Sequence, residues 1–327
     1  MKKKLLIVCI FFALLALVSG ITFMYSYEKT EFLLNTYVTL SIKGFGSKKA
    51  ADECFEKIRS FEKKCSVYIE NSDISNLNKS GGKTLDNEEA DLIKRACEYS
   101  KITDGAFDIT VKPLTDLWNI KNFTRVPSDD EILKTMPKIG YENIKISDSF
   151  VRLENGAQID FGGIAKGYLA DRCAEIMQKY RIESAVLDLG GNIYAVGKKD
   201  IKIGLQNPNG ARGEYFGYIE GNNISVTTSG GYERFAEFDG KKYHHIISPF
   251  DGKCAESGVI SATVCGKNSE ECDALATAIC VLGTDKGLEI INLQKGAECV
   301  IVDENNRVYT SDGINFKITN DDFVRGN

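Results

Sequence analysis

The residues best suited to chemistry fall in four places along the chain. The first is the run Asp160-Phe161-Gly162-Gly163-Ile164-Ala165-Lys166-Gly167, where a carboxylate, a glycine pair and a lysine gather at the start of a helical pattern. Free helix N–H groups, bare backbone and a cation suit a phosphorylated ligand, and Asp160 could help to hold that ligand or a metal. The alternative is a plain strand–glycine–helix turn that binds nothing. The run is neither a dinucleotide fingerprint nor a Walker loop, so both readings stand. The second place is Asp273 with Thr277, four residues apart near the start of a helix and therefore on one face. A carboxylate and a hydroxyl are hard oxygen ligands of the kind Mg2+ takes, with waters or phosphates for the rest. An acidic side chain there also simply favours the helix dipole.

The third place holds the only two histidines, His244 and His245, so any histidine chemistry sits there. His245 ends a strand just before Ser248-Pro249-Phe250-Asp251-Gly252, a placement that suits a base of near-neutral pKa and equally a structural histidine bonded to backbone. The fourth is Tyr68, Phe107 and the polar stretch carrying Asn76 and Asn78, which read either as an aromatic, hydrogen-bonding pocket for a planar ligand or as core.

The elements that must position these residues follow from periodicity. Residues 158–161 read as the end of a strand, and apolar positions from Ile164 to Tyr180 recur at helical spacing. Upstream, the pattern predicts a strand over 32–43, a helix over 47–64 capped by Ser47, a polar loop over 71–78 and a helix over 88–101. Ser128 and Glu131 form a capping box for a short helix, and strands follow at 143–146 and 151–153. Downstream come a strand at 185–189 ending in Gly190-Gly191-Asn192, strands at 201–205 and 215–219, and a meander over 224–229, 232–238 and 243–247 with an Asp239-Gly240 hairpin turn. A strand at 260–264, a helix from Ser269 to Leu282, a short helix and a hairpin of 299–302 with 308–309 complete the chain. Meanders with interspersed helices predict an α+β architecture. With no repeat, low-complexity tract or linker, residues 25–327 read as one catalytic unit.

Composition narrows the class. The 327 residues are 43% hydrophobic and 27% charged, as in ordinary globular proteins. A net charge of −5 with no basic block past the N-terminus argues against nucleic acid. Residues 1–24 combine Lys2-Lys3-Lys4 with an apolar run, which reads as a signal peptide or an uncleaved membrane anchor and places the rest of the chain outside the cytoplasm. Ten cysteines in an exported chain usually mean disulfides, but here several fall at helical core positions, nine remain beyond Cys9, and no C-x-x-C occurs. Free thiols, as an oxygen-free habitat would tolerate, are the expectation.

Seven stretches in order resemble the ApbE-type flavin transferases, the FAD:protein FMN transferases. They are Ser72-Asp73-Ile74-Ser75-Asn76-Leu77-Asn78, Gly105-Ala106-Phe107-Asp108-Ile109-Thr110, Asp160 through Tyr168, Asp188-Leu189-Gly190-Gly191-Asn192, Thr228-Ser229-Gly230, His244 through Pro249, and Asp273-Ala274-Leu275-Ala276-Thr277-Ala278. The resemblance implies a T-fold-related α+β fold of antiparallel and mixed sheets, with FAD and metal in a cleft between lobes. It implies Mg2+-dependent transfer of FMN from FAD to a Thr or Ser hydroxyl of an exported flavoprotein acceptor, as a phosphoester, with release of AMP.

Carried over by position, the flavin nucleotide would contact Leu34, Tyr68, Ala106, Phe107, Asp108, Asp160, Lys166 and Ile260. Mg2+ would be held by the Gly163 carbonyl, Asp273 and Thr277, and His245 would be the base. The family often has Met-Gly-Thr where this chain has Leu34-Asn35-Thr36, and His-Ile-Ile-Asp-Pro where it has Ser248. Some members have a further acidic ligand where it has Ala276, which implies a metal site completed by waters or ligand phosphates. An FAD pyrophosphatase using the same site, and an exported flavin-binding protein without catalysis, are the competing functions.

Overall fold

The computed structural model of the chain describes residues 25–326. The segment read as signal or anchor, 1–24, lies outside the described residues; among these no helix is long and apolar enough to cross a membrane.

The chain enters on a hairpin of β1 (Ser26–Leu33) and β2 (Thr36–Lys43), in place of the one continuous strand expected over 32–43. Leu34 and Asn35 turn it with φ of 54° and 58°, and β2 buries Val38, Leu40 and Ile42. Helix α1 (Ser47–Cys65) is capped by Gly46 rather than by Ser47 and buries Ala51, Cys54, Phe55, Ile58 and Phe61. The stretch expected as a polar loop is instead α2 (Asp73–Ser80): Ser72 Oγ accepts from Ser75 N at 2.9 Å, and Gly81 closes the helix in the left-handed region. Only Ile74 and Leu77 supply its apolar face, too few to show through the polar composition.

Strand β3 (Gly82–Thr84) then leads to α3 (Asn87–Ile102), capped by an Asp86/Glu89 box. After α4 (Lys112–Trp118) comes α5 (Asp129–Thr135), opened by the expected Ser128/Glu131 box. Strands β4 (Ile144–Ser147) and β5 (Phe150–Leu153) join β3 in a small sheet with β5 at its centre. No strand covers 158–161. Asn78 holds that segment instead, accepting from Ile159 N at 2.8 Å and donating to Ile159 O at 2.9 Å.

Helix α6 (Ala165–Lys179) and β6 (Ser184–Leu189) lie as expected, and β7 (Asn192–Gly197) follows the glycine turn. Strands β8 (Ile201–Gln206), β9 (Tyr215–Gly221) and β10 (Ile224–Gly230) come next, then the hairpin of β11 (Phe235–Phe238) and β12 (Lys241–His244). The expected meander is divided: β10 pairs with β7 and β13, while β11 and β12 form a two-stranded sheet of their own. Strand β13 (Val259–Gly266), α7 (Ser269–Leu282), α8 (Thr284–Leu293), β14 (Ala297–Asp303), β15 (Arg307–Thr310), β16 (Phe316–Ile318) and β17 (Val324–Arg325) complete the order.

A nine-stranded sheet, ordered β1-β2-β6-β7-β10-β13-β14-β15-β17, carries the architecture; only its β15–β17 pair is parallel. Across one face the helices follow strand order: α1 on β1 and β2, α6 on β6 and β7, α7 on β10 and β13, and α8 on β14. The largest apolar cluster lies beneath α1 and α6, and a second beneath α7 and α8. The opposite face packs Val226, Val300 and Val302 against Ile203, Leu205, Phe216 and Phe316 of the small β8–β9–β16 sheet. The α+β expectation is met.

Candidate active site

The site forms where α6 and α7 meet over β10. Gly167, in the first turn of α6, lies so close to α7 that a Cβ would stand 2.2 Å from Ser269 O and 2.8 Å from Asp273 Cβ. Only glycine permits this crossing. Asp273, 1% exposed, accepts from Gly167 N through Oδ2 at 2.9 Å. Its Oδ1 lies 3.6 Å from Lys166 Nζ. Thr277, one turn on, donates to Asp273 O at 3.2 Å and sits 3.3 Å from Ser229 Oγ. A Cβ on Gly163 would lie 3.4 Å from Thr277 Oγ1 and 3.2 Å from the Phe107 ring, so the backbone of the glycine turn passes directly over the hydroxyl. Gly163, Lys166, Asp273, Thr277 and Phe107 are thus brought together.

These groups fit a hard divalent cation. Asp273 keeps one carboxylate oxygen free of close hydrogen bonds, Thr277 offers a hydroxyl, and the Gly163 backbone adjoins it. Among the described residues no three His, Cys, Asp or Glu side chains converge to hold a metal. A cation here would therefore take one carboxylate and neutral oxygens from the protein, with water or ligand oxygens for the rest. Ala276 is fully buried in the apolar cluster beneath α7.

His245 approaches from the β11–β12 hairpin. Its N–H donates to Arg234 O at 3.1 Å, and its Nδ1 lies 3.2 Å from the same oxygen. A carbonyl can only accept, so Nδ1 carries the proton and Nε2 keeps its lone pair. Burial lowers the imidazole pKa to about 4, with Arg234, His244 and Lys166 adding to the drop. His244 is structural: Nδ1 accepts from Ile246 N and Nε2 bonds Ala255 O at 2.9 Å. The Ser248-to-Gly252 turn is pinned by Trp118 Nε1 donating to Gly252 O at 2.8 Å.

The remaining expected contacts are spread around this centre. Asp160 is anchored by its N–H to Ile109 O at 2.9 Å, and its Oδ1 accepts from Gly162 N at 3.0 Å. Burial raises its carboxyl above the usual range, against the Gly162 N–H and Lys112. Tyr68 stands 76% exposed, with Asp160 and Arg234 among its charged neighbours. Ala106 and Phe107 are buried, and the exposed Phe250 ring lies over neighbouring Gly105. Asp108 is also buried, and its carboxylate accepts from Thr110 N, Thr110 Oγ1 and Tyr141 N at 2.7–2.8 Å. That side chain holds its own loop, leaving backbone to meet a ligand.

Leu34 lies at the β1–β2 tip, where Asn35 O accepts from Arg234 at 3.4 Å. Ile260 sits at a β13 bulge and packs against the cluster on the far face of the sheet. A groove of about 440 Å³ along α3 and β4, lined by Lys94, Cys97, Tyr141 and Glu142 among others, adjoins Asp108 through Tyr141 and includes none of the expected contacts.

Sequence reasoning missed three contributors. Arg234 acts through its carbonyl, which composition cannot reveal. Asp171 accepts from Ser269 N and Glu270 N, both at 2.9 Å, and so caps the helix bearing Asp273 and Thr277. Ser229 adjoins Thr277 from β10. Asp171 falls on the helical face of a stretch already singled out, but its partners lie about a hundred residues away.

The sequence and the fold have counterparts among known proteins. A family model described as the ApbE family matches residues 34–301. The chain is 30% identical over 319 residues to the FAD:protein FMN transferase of Treponema pallidum, covering 88% of this chain and 87% of that protein. It is 29% identical over 268 residues to one from Klebsiella pneumoniae, covering 80% and 84%. The crystal structure of an ApbE protein from Thermotoga maritima superposes with a TM-score of 0.82 at 33% identity, covering 88% of this chain and 97% of that one.

Proposed function

The chain belongs to the ApbE family, with the activity of an FAD:protein FMN transferase, and from that premise we propose that it moves FMN from FAD onto a Thr or Ser hydroxyl of an exported acceptor protein, releasing AMP, with Mg2+ as its cation. The observation that carries this finer reading is the convergence of Lys166, Asp273, Thr277 and the Gly163 backbone at one helix crossing, with His245 presented beside it.

Phosphoryl transfer asks the protein mainly for position and charge. Gly163, Asp273 and Thr277 would hold the cation, which when bound withdraws charge from the diphosphate. Lys166 adds a second positive charge at the same place, which would stabilise the departing AMP phosphate. Tyr68, exposed near Asp160, would offer a ring face to the flavin nucleotide, with the buried Phe107 ring packed behind the glycine turn. His245 Nε2, its lone pair free because Nδ1 donates to Arg234 O, receives the acceptor's hydroxyl proton as the oxygen attacks phosphorus. Burial makes this a weak base in the free protein, and the arriving diphosphate would strengthen it by favouring the imidazolium.

The basic and apolar N-terminal segment supports export, and with it an acceptor outside the cytoplasm. The test is incubation with FAD, Mg2+ and a peptide bearing a flavoprotein's acceptor Thr or Ser. A peptide mass increase matching FMN supports the proposal; free FMN without modified peptide would make the protein a pyrophosphatase instead. His245→Ala should keep FAD binding and lose transfer by roughly 10²-fold or more. Full transfer in that variant would remove His245 from the reaction.

A further inference from the structure

Beneath the proposed cation site runs a buried polar seam. Ser225, Thr227 and Ser229 alternate along β10 and so share a face, while Ser269, Asp273 and Thr277 recur every four residues on the facing side of α7. The outer rungs are bonded: Ser225 Oγ to Ser269 Oγ at 2.8 Å, and Ser229 Oγ with Thr277 Oγ1 at 3.3 Å. The middle rung therefore sets Thr227 opposite Asp273. Directly across the sheet register from Thr227 is Asn192, the last residue of the Gly190-Gly191-Asn192 turn. Asn192 shares its side of β7 with Tyr194, whose hydroxyl donates to Lys267 O just before α7. Both point into the helical layer.

Asn192 is fully buried, yet its amide is barely engaged. Nδ2 lies 3.5 Å from Thr227 Oγ1, and Oδ1 has no hydrogen-bond partner among the described residues. A buried acceptor without a donor costs free energy, and native chains seldom keep one without a reason. Within the seam Ser225 gives its proton to Ser269, so the Thr227 hydroxyl gives its own to Ser225 Oγ at 3.2 Å; Thr277 gives its proton to Asp273 O, and the Asp273 carboxylate only accepts. A bound water is a donor that would complete the Asn192 amide.

We infer that Asn192 is a positioning residue of the cation site, its amide oxygen accepting a hydrogen bond from a water bound to the cation that Asp273, Thr277 and the Gly163 carbonyl hold. The inference rests on reading that crossing as a cation site. Asn192 enters the seam directly after Gly190 and Gly191, whose φ of 68° and 94° turn the chain from β6 into β7. Groups that orient a metal's ligands and waters typically change metal affinity by ~10- to 100-fold when removed.

The experiment measures Mn2+ affinity of the full-length protein without FAD, by electron paramagnetic resonance, alongside thermal unfolding of the metal-free form. Asn192→Leu should bind Mn2+ about 10- to 100-fold more weakly. Its metal-free unfolding temperature should be no lower than that of the unsubstituted protein, because an orphaned acceptor has gone. Asn192→Asp, which keeps an acceptor oxygen, should restore binding. If Asn192→Leu does not fold, Asn192→Ala takes its place with the same expectation. Equal Mn2+ affinity in the unsubstituted and Leu proteins overturns the role of Asn192 and leaves the cation site standing. Failure of the unsubstituted protein to bind Mn2+ overturns both. Loss of stability without loss of affinity would make Asn192 merely structural.

Discussion

At the scale of the residue, the site depends on which atoms are left over after the chain has satisfied itself. His245 has one nitrogen committed to Arg234 O and one free, whereas neighbouring His244 has both committed. Two adjacent histidines of identical type thus differ in what they can do; the sequence singled out His245 by its place at a strand end and by the family resemblance, but not the hydrogen bonds that set the two apart. The pKa of His245, lowered to about 4 by burial, yields a sign that can be checked. A folded value below the unfolded ~6.5 means that the unfolded chain binds the extra proton first. The stability this group contributes is therefore complete above about pH 6.5 and is lost as pH falls towards 4. In an NMR titration of the metal-free and FAD-free protein, the His245 imidazole should remain neutral down to about pH 4. A midpoint near 6.5 would show an exposed ring and undo the assignment of its tautomer. Asp108 teaches the converse: it matches the family motif, but its carboxylate is already saturated by Thr110 and Tyr141.

At the scale of the element, what could be read in the sequence tracks how local the cause is. Helices α1, α3, α6 and α7 have long apolar stripes or capping residues and were legible to within a few residues. Helix α2 was not, since two apolar residues and a serine cap are enough only because α1 packs on it. The strand expected at 158–161 failed for a related reason. Its backbone is satisfied by the Asn78 amide and by Ile109, partners more than fifty residues distant. Gly167 shows an element-level constraint that a glycine in a helical pattern does not announce. Gly167→Ala would drive a methyl group into Ser269 O, 2.2 Å away, and part α6 from α7. We expect a loss of roughly 1–3 kcal/mol in denaturant unfolding, as overpacking typically costs. Mn2+ affinity should fall with it, because Gly167 N also holds Asp273. An Ala variant as stable as the parent would mean that the helices can separate without consequence.

At the scale of the whole molecule, the nine-stranded sheet draws chain-distant segments into one place. Strand β2 pairs with β6 and β7 with β10, so the glycine turn between β6 and β7 faces both the β1–β2 tip and the end of β10. A fragment lacking α7 would lose Asp273 and Thr277, and with them the cation site. The ionisation of the fold also has a net direction at one buried carboxyl. Burial, then Asp86 and Asp73, push Glu89 up to about 7. Its folded value exceeds the unfolded ~4.3, so the folded chain holds the proton more tightly. The stabilising contribution is complete below about pH 4.3 and is lost as pH rises through 7, an effect of roughly 3–4 kcal/mol at ~1.36 kcal/mol per unit. Glu89→Gln keeps the acceptor for Asp86 N and removes the charge. Its unfolding free energy should vary less between pH 4.5 and 7 than that of the parent; an unchanged profile would show that Glu89 is ionised throughout.

The nine cysteines described in the fold are all free, and only Cys97 is not buried. Burial pushes the thiols of Cys97, Cys254, Cys265, Cys280 and Cys299 up to about 12, so almost none is present as the reactive thiolate at neutral pH. Oxidative damage to this chain is consequently a matter of timing. Once folded, its sulfur is shielded; while unfolded, nine thiols of ordinary pKa ~8.5 are exposed together and can mispair. A thiol oxidant added to the native protein should leave its melting temperature and activity unchanged. The same oxidant added at the start of refolding should cut the yield of active protein severalfold, and a reductant should restore it. The hazard for this protein lies in the interval before its core closes.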